Sequence, residues 1–316
     1  MQLYLGIDGG GTHTRAILVN ALGQVQGEGN AGPSNYHNVG VEVTGRSLRE
    51  ATENAWAAAN LPFAMADTAF LGCAGIKASA DIVSLTAIAE SIGLAPAGHV
   101  TVANDLHNAL AGGLAGRPGI ALIAGTGTNC LGCDATGKSF MCGGWGWMLD
   151  DVGGGIGISL AGLRAAARAA DGRAPFTRLL SAALAFFGLT EANELLERLY
   201  VRNCPLEEIA TFAAVVIREA MTGDATAMEV LSEGARALAE LVAGVSRELS
   251  FPDVADIVIL GGCARSGSPY QPLIEQAVRA AVANANIIEP KGSPTQGAAI
   301  NALRAAGVNP IPNLIF

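Results

Sequence analysis

Two glycine-rich segments of this sequence carry the residue types that bind phosphate. The first, LGIDGGGTHT, spans residues 5–14. Glycine permits backbone conformations that a Cβ forbids, so several N–H groups can point at one anion, and such amide nests bind phosphate. Asp8 is placed to hold Mg²⁺ directly or through water, because magnesium keeps most of its waters. The candidate phosphate-binding residues here are Gly9, Gly10, Gly11, Thr12 and Thr14.

The second glycine-rich segment repeats the first. ALIAGTGTN occupies residues 121–129, so that IDGGGT at 7–12 is echoed by IAGTGT at 123–128. In both places a strand, a glycine turn and a hairpin follow one another. This repeat predicts two similar halves that hold phosphate from two sides, as in an ATP-dependent phosphotransferase. The candidate residues of this turn are Gly125, Thr126 and Gly127.

Neither segment has the pattern of the commoner nucleotide-binding loops. A Rossmann fingerprint needs a helix directly after its glycine turn, whereas residues 14–19 alternate as a strand does and end at an Asn-Ala-Leu-Gly turn. A Walker A loop needs Gly-Lys-Ser/Thr, which neither segment contains. The two turns therefore indicate a different class of nucleotide-binding fold.

Asp105 is the next residue that could do chemistry, because it follows a predicted strand at 99–103. A carboxylate at the end of a strand can orient and partly deprotonate an attacking hydroxyl. Phosphoryl transfer otherwise needs mainly positioning and charge neutralisation. The alternative is that Asp105 caps the helix that starts there, and both roles are compatible.

The elements that must position these residues follow from the hydrophobic pattern. We expect a hairpin after each glycine turn and a helix at about 41–59, with Thr44 as a candidate cap. A long helical stretch, broken several times, is predicted at about 155–250. The turn-rich segment 116–119 predicts a domain boundary, which gives an N-terminal domain at 1–117 and a C-terminal domain at 118–316. The last helix, at about 295–306, can pack back on the N-terminal domain.

Composition excludes some functions. The formal net charge of -9 argues against a nucleic-acid surface, which needs a basic stripe. No apolar run reaches the roughly 18–20 residues that span a bilayer, and no signal-peptide pattern opens the chain, so we expect a cytoplasmic protein with reduced thiols. Cys130, Cys133 and Cys142 either form a zinc or redox site or are packed residues of a hairpin.

At this point the chain resembles a known superfamily, the ATPases of the actin, hexokinase and heat-shock-protein type. Within it, the sequence is most similar to the N-acetylglucosamine kinase branch of the BadF/BadG/BcrA/BcrD-type ATPases. The motifs that carry the resemblance are DGGGTHT at 8–14, GPSNYHNVG at 32–40, ND at 104–105, AGTGTNC at 124–130 and GGWGWMLDD at 143–151. The resemblance implies an α/β fold of two ribonuclease H-like domains with an interdomain cleft.

The resemblance also implies a role for individual residues. Asp105 matches the general base that takes a proton from a sugar hydroxyl, and ATP with Mg²⁺ is the implied phosphate donor. The N-terminal domain would hold the sugar and the first phosphate loop, and the C-terminal domain the nucleotide. The residues that match adenosine-binding positions are Gly261 and Gly262; those that match sugar-binding positions are Asn35, Asn129, Gly144 and Asp151. Asn35 could instead form an Asx turn after Pro33.

One segment departs from the family. Its motif Gly-Asp-Glu-Gly reads Asp150-Asp151-Val152-Gly153 here, on the side that faces the sugar. This departure bears on which sugar is bound, and the two adjacent acids could contact an amino sugar or a metal, or lie on the solvated surface. The resemblance implies the 6-hydroxyl of N-acetylglucosamine or glucosamine as the first candidate acceptor, with another hexose derivative as the alternative. An activator of a radical dehydratase and a non-catalytic regulator are further alternatives. The family is often dimeric, which implies a homodimer.

Overall fold

The computed structural model describes residues 1–76, 78–251, 254–264 and 267–308. The chain divides into two compact units: Met1–Pro118 together with the chain from Pro290 onward, and Gly119–Glu289. Across the described ranges, none of the helices is both long enough and apolar enough to cross a membrane.

The strands of the first unit are β1 (Leu3–Gly9), β2 (Thr14–Asn20), β3 (Val25–Ala31), β4 (Thr68–Cys73) and β5 (Val100–Asn104). Those of the second unit are β6 (Gly119–Ala124), β7 (Thr128–Cys133), β8 (Ser139–Gly143), β9 (Ala255–Leu260) and β10 (Ala285–Ile287). The helices are α1 (Tyr36–Ala58), α2 (Ser79–Ser91), α3 (Leu106–Gly113), α4 (Gly155–Ala170), α5 (Leu179–Phe187), α6 (Glu194–Leu196), α7 (Leu206–Thr211), α8 (Ala213–Met221), α9 (Ala225–Glu248), α10 (Gln271–Ala281) and α11 (Pro294–Ala305). A π-helical turn at Glu197–Val201 follows α6.

The two units have the same sheet topology. The first sheet has the order β3-β2-β1-β4-β5, and the second has β8-β7-β6-β9-β10. In each sheet the first strand (β1 or β6) pairs antiparallel with the strand that follows it (β2 or β7). The same first strand pairs parallel with the strand that comes after the hairpin (β4 or β9). The repeat predicted from the two glycine turns is therefore a repeat of structure, and the expected α/β fold is confirmed.

The alternation of side chains along β1 explains the packing of the first unit, because successive residues of a strand face opposite sides of the sheet. Leu5 and Ile7 point into a core shared with α1 and α2. Tyr4 points into a second core shared with α3 and α11. Gly6 on that second side lets the α11 backbone approach, because a Cβ there would lie 2.4 Å from the carbonyl carbon of Ala298.

The start of α1 agrees with the sequence prediction beyond a kink. The element begins at Tyr36 with Asn35 as its cap, so the predicted Thr44 cap is wrong. Gly40 has a non-helical φ of 79° inside it, and the unbroken helix follows this kink, at about the predicted residue 41. Thr44 instead donates a hydrogen bond from its hydroxyl back to the carbonyl of Gly40 at 2.8 Å.

Candidate active site

The first glycine turn closes on itself at the end of β1. The N–H of Gly10 donates to the carbonyl of His13 at 2.9 Å, and the N–H of Ser34 donates to the carbonyl of Gly10 at 3.0 Å. Gly11 and Thr12 at the tip are exposed. The tip therefore offers backbone N–H groups and one hydroxyl to a ligand, as the phosphate-loop prediction requires.

Thr14 is placed differently from Thr12. Its side chain is fully buried, with the hydroxyl 2.7 Å from the carbonyl oxygen of Gly32 and 2.8 Å from Oγ of Ser34. Both contacts join β2 to the segment that leads into α1. In this structure, Thr14 holds the turn together from inside, and its direct contact with phosphate stays a prediction.

Asp8 is the last residue but one of β1 and is half-buried. One carboxylate oxygen accepts a hydrogen bond from Nδ2 of Asn108 at 3.2 Å. Burial raises the pKa of Asp8, while the Asn108 bond and the charge of Arg15 offset part of the increase. Because burial disfavours the ionised form of Asp8, a bound cation would stabilise that form. Magnesium prefers hard oxygen ligands such as a carboxylate, so Asp8 fits the predicted metal role.

Asp105 lies at the start of α3, where its N–H donates to the carbonyl of Cys73 at 3.3 Å. It occupies the cap position, but it is Asn104 whose side chain accepts from the N–H of Leu106, at 3.0 Å. Burial and the nearby charge of Asp8 raise the pKa of Asp105 to about 6, although nearby backbone N–H groups oppose the rise. A carboxylate tuned in this way is a suitable general base near neutral pH.

Cys73 shows that these two carboxylates share one neighbourhood. Its thiol is fully buried at the end of β4. Burial and then the charges of Asp105 and Asp8 raise its pKa to about 12. Its Sγ also lies against the first turn, because a Cβ on Gly9 would be 2.9 Å away from it.

Asn35 lies beside the turn that follows β4. Its Oδ1 accepts from the N–H of His37 at 3.3 Å, which is the contact of the Asx turn left open by the sequence, and this contact also caps α1. The same oxygen would lie 2.5 Å from a Cβ on Gly75, whose φ is +88°. The cap role is thus present, while a contact between Asn35 and sugar stays a prediction.

A buried carboxylate fixes the segment that carries Asn35. Asp81 is 6% exposed; it accepts a short hydrogen bond from the hydroxyl of Tyr36, and Nε2 of His37 lies 3.4 Å from it. Its other oxygen accepts from the N–H of Ala78 at 2.8 Å, at the start of α2. Asp81 therefore ties the beginning of α1 to the beginning of α2.

The second glycine turn is held by the start of α4. The N–H of Gly155 donates to the carbonyl of Gly125 at 2.8 Å, and the N–H of Ile156 donates to that of Thr126 at 2.9 Å. Gly125 also closes the turn by donating to Gly127 at 3.0 Å. Thr126 is exposed at the tip, and its contact with phosphate stays a prediction.

Asp151 is a buried part of this second turn. The residue is 6% exposed and has a φ of 63°, in the left-handed region that non-glycine residues seldom adopt. Its Oδ1 lies 2.6 Å from the backbone nitrogen of Thr128 and 3.2 Å from the hydroxyl. Asp151, which was predicted to contact sugar, thus makes its observed contacts with Thr128. The next residue, Val152, is exposed.

Asn129 and Gly144, which resemble sugar-binding residues, are brought together. A Cβ on Gly144 would lie 2.5 Å from Nδ2 of Asn129, and the φ of Gly144 is +75°. Next to them Trp145 is 74% exposed and Trp147 is 44% exposed. These exposures exclude a core role for Trp145 and leave its ring available to stack on a ligand.

The adenosine-turn candidates lie beside the second phosphate turn. Gly261 has a φ of +104°, and a Cβ there would lie 2.4 Å from the carbonyl oxygen of Ala124. Cys263 donates its N–H to the same carbonyl at 3.1 Å. Gly262 is exposed. Strand ends β6 and β9 are thus joined at the point where the motif predicts the nucleotide.

Three cysteines of the second unit, Cys130, Cys133 and Cys142, belong to the β7–β8 hairpin. Cys130 faces Cys142 directly across the strand pair, and Cys130 is completely buried. Within the described ranges the six cysteines form no disulfide, and these ranges contain no group of three or more side chains that could hold a metal ion. The observed placement is that of packed hairpin residues.

Sequence reasoning missed two residues of the site, Asn108 and Tyr36. Asn108 contacts Asp8 across 100 positions of the chain, and no motif marks it. Tyr36 lies inside GPSNYHNVG, but the partner that gives it a role, Asp81, is 45 positions away. Neither contact has a local signal, so only the fold reveals them.

Two copies of one five-stranded sheet, each with a glycine turn after its first strand, define the actin-like fold class that the sequence predicted. The chain belongs to the BadF/BadG/BcrA/BcrD ATPase family, whose model matches residues 5–302. It is 30% identical over 262 residues to an N-acetylmuramic acid/N-acetylglucosamine kinase from Clostridium acetobutylicum, a match that covers 83% of this chain and 85% of the relative. It is 27% identical over 319 residues to an N-acetyl-D-glucosamine kinase from Dictyostelium discoideum, covering 96% and 98%.

Solved structures share the fold. A candidate N-acetylglucosamine kinase from Chromobacterium violaceum superposes with a TM-score of 0.70 at 24% identity, covering 95% of this chain and 98% of that one. A ROK family glucokinase from Streptomyces griseus, solved with glucose and AMPPNP, gives a TM-score of 0.56 at 16% identity, covering 96% and 99%. At these identities the likeness concerns the fold.

Proposed function

We propose that this protein is an ATP-dependent sugar kinase that transfers the γ-phosphate to the 6-hydroxyl of N-acetylglucosamine or glucosamine. The observation that carries the proposal is the Asp105 carboxylate, whose pKa is raised to about 6 beside Asp8 at the end of the first sheet. The names of the two relatives described above support an amino sugar as the acceptor, as does that of a glucosamine kinase from Vibrio cholerae, 28% identical over 235 residues.

In the proposed reaction Asp105 accepts the proton of the attacking hydroxyl as the bond from its oxygen to the γ-phosphorus forms and the bond from that phosphorus to the bridging oxygen breaks, so that ADP leaves. Ionised Asp105 also orients that hydroxyl, which is the main protein contribution to phosphoryl transfer besides charge neutralisation. Asp8 would hold Mg²⁺, which neutralises charge on the phosphates when it is bound. The first unit would thus hold the sugar and the first phosphate turn.

The second unit would hold the nucleotide. Its exposed Thr126 and the N–H groups of the second turn would contact phosphate, and Gly261 and Gly262 would allow the purine to lie against backbone. Asn129, Gly144 and Asn35 would contact the sugar. Asp151, by contrast, would act mainly through Thr128, because its carboxylate is buried against that residue.

An ADP-release assay tests the proposal against N-acetylglucosamine, glucosamine, N-acetylmuramic acid and glucose. We expect an amino sugar to stimulate ADP release and the product to carry phosphate on the 6-hydroxyl, as read by phosphorus–proton correlation in NMR. Asp105→Ala should abolish transfer with ATP affinity nearly unchanged, whereas Asp171→Asn, a change at an exposed acid in the second unit, should leave turnover unchanged. If no sugar stimulates turnover, the kinase proposal is wrong.

Two further parts of the proposal have their own measurements. Magnesium dependence of turnover, lost or strongly weakened in Asp8→Ala, tests the metal role. Light scattering coupled to size-exclusion chromatography tests the proposed homodimer. Because the reaction consumes ATP, we place the protein in the cytoplasm, which fractionation of the source cells would check.

A further inference from the structure

Asn108 places a buried amide between two strand ends and the Asp8 carboxylate. It lies one turn after Asp105 on α3, and its side chain is 0% exposed. The Nδ2 atom lies 3.0 Å from the carbonyl oxygen of Ile7, 3.3 Å from that of Gly72 and 3.2 Å from Oδ1 of Asp8. A single nitrogen thus bridges the ends of β1 and β4 and the proposed metal-binding carboxylate.

The orientation of this amide follows from its neighbours. All three atoms around Nδ2 are acceptors, so the amide oxygen cannot take that place. The Oδ1 atom is buried and finds no hydrogen-bond partner within the described part of the chain. An unpartnered buried oxygen destabilises a fold, and an apolar side chain of similar size would avoid that cost. Packing alone therefore does not account for an amide at this position.

Glycines on both sides make room for the side chain and its helix. A Cβ on Gly72 would lie 2.2 Å from Nδ2 of Asn108, and a Cβ on Gly297 would lie 1.9 Å from the Asn108 carbonyl oxygen. Gly72 lets the amide reach between β1 and β4. Gly297 lets α11 press against α3 from behind. The amide is consequently fixed from two directions.

We propose that Asn108 is a positioning residue, which holds the Asp8 carboxylate in the orientation that binds the Mg²⁺ of Mg-ATP. The inference rests on the metal role proposed above for Asp8. Asn108 is suited to this because it is neutral: it donates to one carboxylate oxygen without supplying a positive charge that would compete with the cation. The two hydrogens of Nδ2 are shared among three acceptors, and the carbonyls of Ile7 and Gly72 fix the nitrogen to the ends of β1 and β4 as well as to the carboxylate.

The test measures the Mg²⁺ dependence of ATP binding by calorimetry, with no sugar present. Loss of an outer hydrogen-bond partner typically weakens a metal site by about 10- to 100-fold, so we expect Asn108→Ala to weaken the magnesium-dependent part of ATP affinity by about tenfold. Asp8→Asn should weaken it at least as much. Because Asn108 acts through Asp8, the double variant should be no weaker than Asp8→Asn alone, which is the signature of coupled residues.

A matched control separates positioning from loss of stability. Leu110 lies on the same helix and is also buried, so Leu110→Ala should lower the melting temperature without changing the magnesium dependence. In turnover, Asn108→Ala should raise the Mg²⁺ concentration needed for half-maximal rate, and the KM for sugar should stay the same. If Asn108→Ala does not fold, the same measurements are made on Asn108→Ser, and the same loss of magnesium dependence is expected.

Three outcomes would overturn the inference: an unchanged magnesium dependence in Asn108→Ala, an equal change in Leu110→Ala, or additive effects of Asn108→Ala and Asp8→Asn. A wild-type protein that binds Mg-ATP but phosphorylates no sugar would overturn the proposed function instead. In that case the calorimetric measurement of Mg-ATP binding still tests the role of Asn108.

Discussion

The Asp151 carboxylate accepts a hydrogen bond from the backbone N–H of Thr128 at 2.6 Å, and the hydroxyl of Thr128 lies 3.2 Å from the same oxygen. Thr128 directly follows the second glycine turn, so the position of that turn depends on a carboxylate 23 residues further along the chain. The same carboxylate abuts the turn itself, because a Cβ on Gly127 would lie 2.8 Å from it.

Asp151→Asn should therefore weaken the use of ATP more than the use of sugar. Asn tolerates a positive φ as Asp does, so the change removes the charge and leaves the backbone conformation accessible. A hydrogen bond to a charged group contributes about 1.5–3 kcal/mol, and we expect kcat/KM for ATP to fall about tenfold. Asp150→Asn, at the half-buried neighbour, is the control. A rise in the KM for sugar alone would instead support a direct sugar contact by Asp151.

The rate of phosphate transfer should fall as the solution becomes acidic. Asp105 must be ionised to accept a proton, and its pKa is raised to about 6. At saturating Mg-ATP, Mg²⁺ bound at Asp8 would offset that neighbouring negative charge, so the pKa of Asp105 in this complex should lie below its value in the ligand-free protein. Below that pKa, kcat/KM for the sugar should decline tenfold for each pH unit. A profile with no acidic limb at any pH at which the protein stays folded would contradict the assignment of Asp105 as the base.

Ionisation of Asp105 should lower the free energy of unfolding of the ligand-free protein. A folded-state pKa of about 6, above the ordinary value of 3.8, means that this group's contribution to stability is fully present below 3.8 and is lost as pH rises through 6. The difference corresponds to at most about 3 kcal/mol. Asp105→Asn should thus raise the melting temperature of the ligand-free protein at pH 8 and have little effect near pH 3.5. An equal increase at both values would point to a cause other than the charge.

Gly297→Ala should destabilise the first unit. The new Cβ would lie 1.9 Å from the carbonyl oxygen of Asn108 and 2.5 Å from the backbone nitrogen of Gly112, so α11 would have to move away from α3. Overpacking of this kind costs about 1–3 kcal/mol, measured by denaturant unfolding. Gly45→Ala on α1 is the matched control: its nearest contact would be an ordinary 3.4 Å, and the change should be neutral or stabilising, because glycine weakens a helix by about 0.5–1 kcal/mol.

Tyr36→Phe should raise the KM for the sugar several-fold and leave the KM for ATP unchanged. The variant removes the hydroxyl that donates to Asp81 and so loosens the segment that carries Asn35. Tyr4→Phe, which removes a hydroxyl bonded to Gln2 at 3.3 Å, controls for loss of a tyrosine hydroxyl elsewhere in the unit. Equal effects of the two variants on the KM for sugar would show that Asn35 does not depend on the Tyr36–Asp81 contact.

Much of the architecture was predictable because its signals are local. The alternation along β1 and β2, the glycine turns and the repeat at 123–128 each occupy fewer than about ten residues, within the reach of periodicity arguments. The unbroken part of α1 was predicted from about residue 41, but the short turn at 36–39 was missed because the kink at Gly40 separates it from the helical pattern. The capping residue Asn35 was noticed, but as a sugar contact or an Asx turn.

The site was harder to predict than the fold. Asp8 and Asp105 stand out in the sequence because each ends a strand. Asn108, Tyr36 and Thr128 gain their roles only from partners far along the chain. The energy of these contacts depends on burial and on the geometry of both partners, and neither is encoded in a short segment. Sequence analysis therefore does not detect the residues whose role is to position other site residues.

The return of α11 to the first unit has a consequence for biosynthesis. Tyr4, Ile17 and Phe70 form one apolar face of the first sheet, and Ala299 and Leu303 of α11 help to bury it. On the ribosome, the first sheet emerges long before α11, because the entire second unit is translated in between. The nascent chain must carry that apolar face uncovered in the meantime, as a surface for chaperones or for aggregation. The unit whose synthesis begins first is therefore the last of the two whose synthesis is completed.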